Sequence, residues 1–266
     1  MRPARPLLES PHFLSLLLLG AVAWSVTGIG WGEPLLHTGG GDSALDLLLA
    51  LFPPDLSPSF LLVCLQAAWQ TLSIALASIT VAVLLGFPLG VMASGALVSP
   101  NSRLRAPLMI SSRFVLGTLR SIHELVWAVL LVAAIGLSPL AAIVALGLPY
   151  AGILGRIYAE FLEDTPEDPL TALRSAGASS WQTLIFGRLP MSTPDLVSYT
   201  FYRFECSIRS AAILSFVGIR GIGYEIQLSL GELLFSQVWT LLLILLAIVA
   251  LVDFWSGRVR QSLVES

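Results

Sequence analysis

Residues 56–102 read LSPSFLLVCLQAAWQTLSIALASITVAVLLGFPLGVMASGALVSPNS, 47 positions without one Asp, Glu, Arg, Lys or His. A bilayer core takes about 20 residues of upright helix, so the run is too long for a single upright span. Two readings are open: one long helix that tilts and protrudes, or two spans broken at Gly86-Phe87-Pro88, where proline kinks a helix without forbidding it. Arg103, Arg105 and Arg113 come next. Cationic residues favour the cytoplasmic side. With the N-terminus inside and residues 32–58 outside, one span from Phe60 to about Ala96 puts these arginines inside, and two spans put them outside. One span is therefore expected.

Working outward, Arg2 and Arg5 precede an apolar run, Phe13–Trp31, read as the first span. Ala21-Val22-Ala23 resembles a signal-peptidase site, but apolar character continues to Trp31, so the segment is read as retained. A polar loop follows at 32–58, with Glu33, Asp42, Asp46 and Asp55 and no Arg. Leu108–Leu119 is read as interfacial. Ser121–Leu137 and Leu140–Tyr158 are the third and fourth spans, joined by a turn at Ser138-Pro139. Residues 161–195 are a polar cytoplasmic loop, Leu196–Val217 the fifth span, Gly218–Glu232 an outer loop and Leu233–Val252 the sixth span. Arg258 and Arg260 close the chain inside. The expected fold is all-α, a polytopic membrane protein of about six transmembrane helices with both termini cytoplasmic.

Composition agrees. Of 266 residues, 56% are hydrophobic and 12% charged, with mean hydropathy +0.84. Soluble chains carry about 25% charged residues, so an ordinary soluble enzyme is excluded. A net charge of −3 gives no basic excess for nucleic acid. All 14 cations are Arg. Without Lys, a phosphate-binding P-loop and lysine Schiff-base chemistry are excluded, so any ATP consumed must be bound by another chain. Cys64 and Cys206 lie in apolar stretches and read as core residues. His12, His37 and His123 lack zinc spacing, and no metal site is expected.

The loop at 161–195 is organised. Asp168-Pro169 reads as a cap with proline at the first helical position. Leu170–Ala176 gives two turns, and Gly177 stops them. Ser179 and Gln182 form a capping box that opens a second short helix, ended by Leu189-Pro190. Thr171-Ala172-Leu173, Gly177 and Leu189-Pro190 together resemble the signature loop of ABC-importer permeases of the phosphonate type. Ser198-Tyr199-Thr200, Tyr202-Arg203, Glu205, Ile208-Arg209, Gly221-Ile222-Gly223 and, upstream, Arg120-Ser121-Ile122 and Glu124–Ala128 resemble that family as well. The likeness covers roughly residues 60–256.

The resemblance implies a type I ABC importer permease. Residues 1–59 would be a first helix with a periplasmic loop, 60–256 the permease core with its coupling loop at 161–195, and 257–266 a cytoplasmic tail. It implies a bacterial inner-membrane, non-catalytic subunit. Its partners would be ABC ATPase subunits that carry ATP and Mg²⁺, a second permease chain, and a substrate-binding protein. Asp168, Thr171, Ala172, Leu173, Gly177, Leu189 and Pro190 would form the ATPase-coupling loop. Thr171 departs from the signature's Glu, Gly187 from its Ile or Val, and His123 stands where related permeases often have Pro. Glycine at 187 costs about 1 kcal/mol of helix against Ala, and pairing with a more typical permease chain would compensate.

Charges within spans cost about 2.5–3.5 kcal/mol, yet the fifth span holds Arg203, Glu205 and Arg209. Tyr202, Glu205 and Arg209 share one helical stripe, with Arg203 on another face. The stripe reads either as a Glu205–Arg209 pair that joins helices or as a lining for an oxyanion, whose oxygens suit the guanidinium fork. Arg120 and Glu124, four apart, read as an ion pair or an inner gate. Gly218, Arg220, Gly221 and Gly223 read as a turn that permits close helix contact or as a backbone nest for an anion; the resemblance makes them an outer gate. The expected cargo is a phosphonate, phosphite, hypophosphite or related oxyanion. Three rivals remain: a permease for methionine or an osmolyte, a proton-coupled carrier, and a Mg²⁺-dependent prenyltransferase built on Glu163-Asp164 and Glu167-Asp168.

Overall fold

A computed structural model describes residues 11–28, 40–99 and 102–264, and every regular element among them is helical. The chain divides into two units, 1–49 and 50–266. The first holds α1 (Pro11–Thr27) and α2 (Gly40–Leu49). At 17 residues, α1 measures about 25 Å, near the hydrocarbon thickness of about 30 Å. α2 lies where a loop is expected. Leu45, Leu48 and Leu49 recur at helical spacing, a signal hidden behind the three glycines of 39–41.

The second unit opens with α3 (Pro58–Ala93), one helix that runs through Pro88. Its 36 residues give about 54 Å, so the single long span is the correct reading of the charge-free run. α6 (Pro139–Glu163) is its main neighbour. Lipid supplies no hydrophobic drive between helices, so small residues must let the backbones approach. Here they recur every fourth position: Ser78, Ala82, Gly86 and Gly90 on α3, and Gly147, Ala151, Gly155 and Ala159 on α6. A Cβ on Gly86 would stand 2.8 Å from the Ala151 carbonyl oxygen, and one on Gly90 2.6 Å from that of Gly155. Gly147 faces Ser78 and Val81. Contacts thus advance in step along both chains, and α3 and α6 run parallel.

Parallel helices need a return path. α4 (Arg105–Ser121) and α5 (Glu124–Ile135) supply it, meeting at 85°. The segment Leu108–Leu119, expected to be interfacial, lies within α4, whose buried Leu116 enters the α6 surface where a Cβ on Gly152 would meet the Leu116 carbonyl at 2.7 Å. The expected third span Ser121–Leu137 is also corrected. α5 has only 12 residues, about 18 Å, and it starts afresh because the His123 ring accepts the Leu125 N–H at 3.3 Å.

After α6 come α7 (Glu167–Ser175), α8 (Ser180–Thr183), a π turn (Leu184–Arg188), α9 (Leu189–Leu214), a 3-10 turn (Ser215–Val217), α10 (Ile222–Gly231) and α11 (Phe235–Val264). The expected outer loop Gly218–Glu232 therefore contains a helix. Among the described residues, three helices are long and apolar enough to cross a membrane: α3, α6 and α11. Counting the α4–α5 pair and the α9–α10 pair, bent by 45°, as one span each gives five. α1 supplies the shorter sixth apolar helix.

Candidate functional site

Beyond the end of α6 the chain builds an elbow from α7 to the start of α9. The expected cap at Asp168 is displaced. Pro166 is the N-cap, Asp168 the second helical residue and Pro169 the third. The first four N–H groups of a helix have no internal partner, so proline there loses no bond. Glu167 and Asp168 stand at the positive end of the helix dipole. Gly177, at φ +92, closes α7 as expected. Its N–H donates to the Arg174 carbonyl at 3.0 Å, and the Ala178 N–H donates to that of Leu173 at 3.0 Å, the paired bonds of a Schellman ending. The Ser179–Gln182 capping box is complete: the Ser179 N–H donates to the Gln182 side-chain oxygen at 2.8 Å, and the Gln182 N–H to the Ser179 hydroxyl at 3.3 Å.

Leu189-Pro190 does not end the second helix. The Leu189 N–H donates to Leu184, five residues back. This wider turn carries the helix past Pro190, whose ring has no N–H to give. Arg188, 11% exposed at its side chain, donates to the Leu162 carbonyl at the end of α6, to the Thr165 hydroxyl at 3.3 Å and to Glu167 at 3.0 Å. Glu167 also takes Arg174 at 3.1 Å. Gly187, expected only to weaken its helix, is buried beneath α7: a Cβ there would lie 2.7 Å from Leu170 and 3.0 Å from Leu173. Leu162 and Leu184 pack with Val91 of α3. The elbow is thus seated on the ends of α3 and α6. Its outward face presents Thr171, Ala172 and Arg174–Gly177. Trp181 (57% exposed) and Phe186 (71%) are also outward, two residues not singled out from the sequence. Large aromatics in a polar loop were the available signal.

Along α9 the charged residues sort into two groups. Arg203 donates through Nε and Nη2 to the Tyr199 phenol at 2.8 and 2.7 Å. Its guanidinium lies 5.2 Å from the Tyr199 ring centroid and 5.6 Å from that of Tyr202. It has no carboxylate partner among the described residues. Glu205 is buried, pairs with Arg209 at 3.5 Å and lies against Asp253 of α11. Arg120 and Glu124 do not pair, because the 85° bend separates them. Glu124 accepts the Ser210 hydroxyl at 3.0 Å, and Ser210 meets the Tyr150 hydroxyl at 3.2 Å. Arg120 lines a separate cavity of about 150 Å³ with Arg113, Arg156, Glu160 and Glu163.

At the other end of α9, Gly218 takes φ +97. A Cβ on Gly221 would meet the Ser215 hydroxyl at 2.4 Å, and one on Gly223 the Ala212 carbonyl at 2.0 Å. The Ile222 N–H donates to Thr71 of α3 at 2.9 Å. The glycines thus seat α10 against α3 and α9, and a central N–H of the nest reading is already taken. Arg220 is exposed in an open cleft with Trp69, Gln70 and Ser73. Two of the four carboxylates of the metal-enzyme reading face guanidinia: Glu163 pairs with Arg113, and Glu167 with Arg174 and Arg188.

Residues 86–264 match the family described as binding-protein-dependent transport system inner membrane component. A phosphite transport system permease protein of Stutzerimonas stutzeri is 37% identical over 167 residues, 62% of this chain and 61% of that protein. A putative phosphite transport system permease protein of the same species is 32% identical over 263 residues, 96% of this chain and 88% of the relative. Among solved structures, a methionine ABC transporter in an inward-facing conformation superposes with TM-score 0.69 at 23% identity, over 78% of this chain and 99% of its own.

Proposed function

Because the chain belongs to the family of binding-protein-dependent transport inner-membrane components, we propose that it is the permease subunit of an ATP-driven importer for a small phosphorus oxyanion. The single observation that carries the mechanism is the elbow. Arg188 joins α7 to the end of α6 while its own backbone leads directly into α9. A push on the outward face around Ala172–Gly177 would therefore reach two spanning helices as one movement. A separate ATPase supplies that push, consistent with a chain that has no Lys for a P-loop. Both termini and the elbow lie on the cytoplasmic side in this reading, as the charge rule requires.

The ligand class rests on the phosphite permeases that the chain resembles and on Arg203. Arg209 is compensated by Glu205. Arg203 is held by aromatic rings and a phenol, so its positive charge and unused donors remain for an anion in transit. The test is reconstitution with the neighbouring ATPase and binding protein. ATP hydrolysis stimulated by phosphite, a phosphonate or phosphate, with uptake reduced at least tenfold by Arg203→Gln at normal assembly, is the expected result. Stimulation by none of these anions, or full uptake by Arg203→Gln, would refute the ligand class or the role of Arg203 respectively.

A further inference from the structure

Between the elbow and the turn that links α3 to α4 lies a second concentration of positive charge. Arg105, Arg174 and Arg188 line one small, half-open pocket of about 30 Å³, together with Gly95, Ser180 and Thr183. Among the described residues Glu167 is the one carboxylate that pairs with any of the three, and it takes Arg174 and Arg188. Arg105 makes no ion pair there. Its Nε is fully buried and has no hydrogen-bond partner, although a buried donor normally finds one. Tight packing holds it in place: a Cβ on Gly95 would stand 3.0 Å from that nitrogen, and Gly95 itself sits at φ +68. Burial, opposed by Glu167 and aided by the Arg174 and Arg105 guanidinia, loosens the proton on Arg188. Three guanidinia against one carboxylate, with an unsatisfied N–H among them, form a cradle suited to an anion.

We propose that this pocket binds a phosphate-class oxyanion, either a free tetrahedral anion or the phosphoryl head of a lipid, and that the bound group ties the α3–α4 turn to the elbow. Guanidinium forks match the oxygens of such a group. Ser180 adds a hydroxyl donor, the Thr183 hydroxyl being already given to the Ser179 carbonyl at 3.0 Å, and the half-open pocket has room for one or two oxygens of such a group, with the rest outside. The site is separate from Arg203, and its test does not depend on which ligand the protein transports.

The test uses the full chain in phosphatidylcholine nanodiscs, titrated with inorganic phosphate while chloride holds ionic strength constant, with thermal unfolding as the readout. A saturable rise in Tm is expected. Arg105→Gln should raise the half-saturating concentration at least tenfold, whereas Arg120→Gln, in the other arginine-lined cavity, should leave it unchanged. If Arg105→Gln fails to assemble, Ser180→Asp gives the same reading, because it places a carboxylate at the pocket where the α8 N-terminus tolerates it. Replacing part of the lipid with phosphatidylglycerol distinguishes the sources: a displaced phosphate midpoint assigns the site to a lipid head, and an unmoved one to a soluble anion. No phosphate-dependent rise beyond that of chloride, or the wild-type midpoint in the variant that assembles, would overturn the proposal.

Discussion

Arg188 shows how one side chain makes the elbow a unit. Its contact with Glu167 counts for little, since that carboxylate is 58% exposed and exposed ion pairs contribute about 0–1 kcal/mol. The bonds to Leu162 and Thr165 count for more, because their acceptors are buried or capped beneath the elbow. Arg188→Ala should cost about 2–3 kcal/mol, read as a lower Tm, and should raise the ATP hydrolysed per ligand imported. Arg188→Lys keeps the charge without the fork and should restore stability only in part. An alanine variant with wild-type Tm and wild-type coupling would remove Arg188 from the mechanism. Nothing in the sequence marked this arginine, because its partners come from positions 23 and 26 residues upstream.

At the scale of elements, the α3–α6 seam sets the frame on which the bent helices hang. Gly90→Ala would drive a Cβ into the Gly155 backbone, and overpacking of this kind costs about 1–3 kcal/mol. Gly117→Ala, in open space on α4, should be neutral or gain up to about 1 kcal/mol from helix propensity. Thermal unfolding of the two variants in one detergent should separate them in that order; equal melting would contradict the seam. Much here was legible in the sequence. Hydropathy and arginine placement fixed α3 as one helix, and Gly177 with the Ser179–Gln182 box located the elbow's corners. The bends were not legible. The contact of α4 with α6 carries no local signal, because it depends on Gly152 and Gly155, some forty residues from Leu116. Leu189-Pro190 looked like an ending because a π turn leaves no signature in composition. Arg120 and Glu124 looked paired because spacing of four assumes one continuous helix.

At the scale of the whole molecule, the spanning helices of the described residues form a frame joined at one end to a compact, cap-defined elbow with exposed aromatics, in a sequence that has no Lys for a P-loop. Family membership, the fold and the bare outward face of that elbow fit a gate worked from outside the chain. The most direct measurement is photo-crosslinking from a single probe residue at Ala176, on the exposed end of α7, in inner-membrane vesicles that hold the assembled importer. The account predicts an adduct with the ATPase subunit, lost when that subunit is omitted. An elbow that forms no such adduct, or that reacts instead with a protein of the extracytoplasmic side, would contradict it.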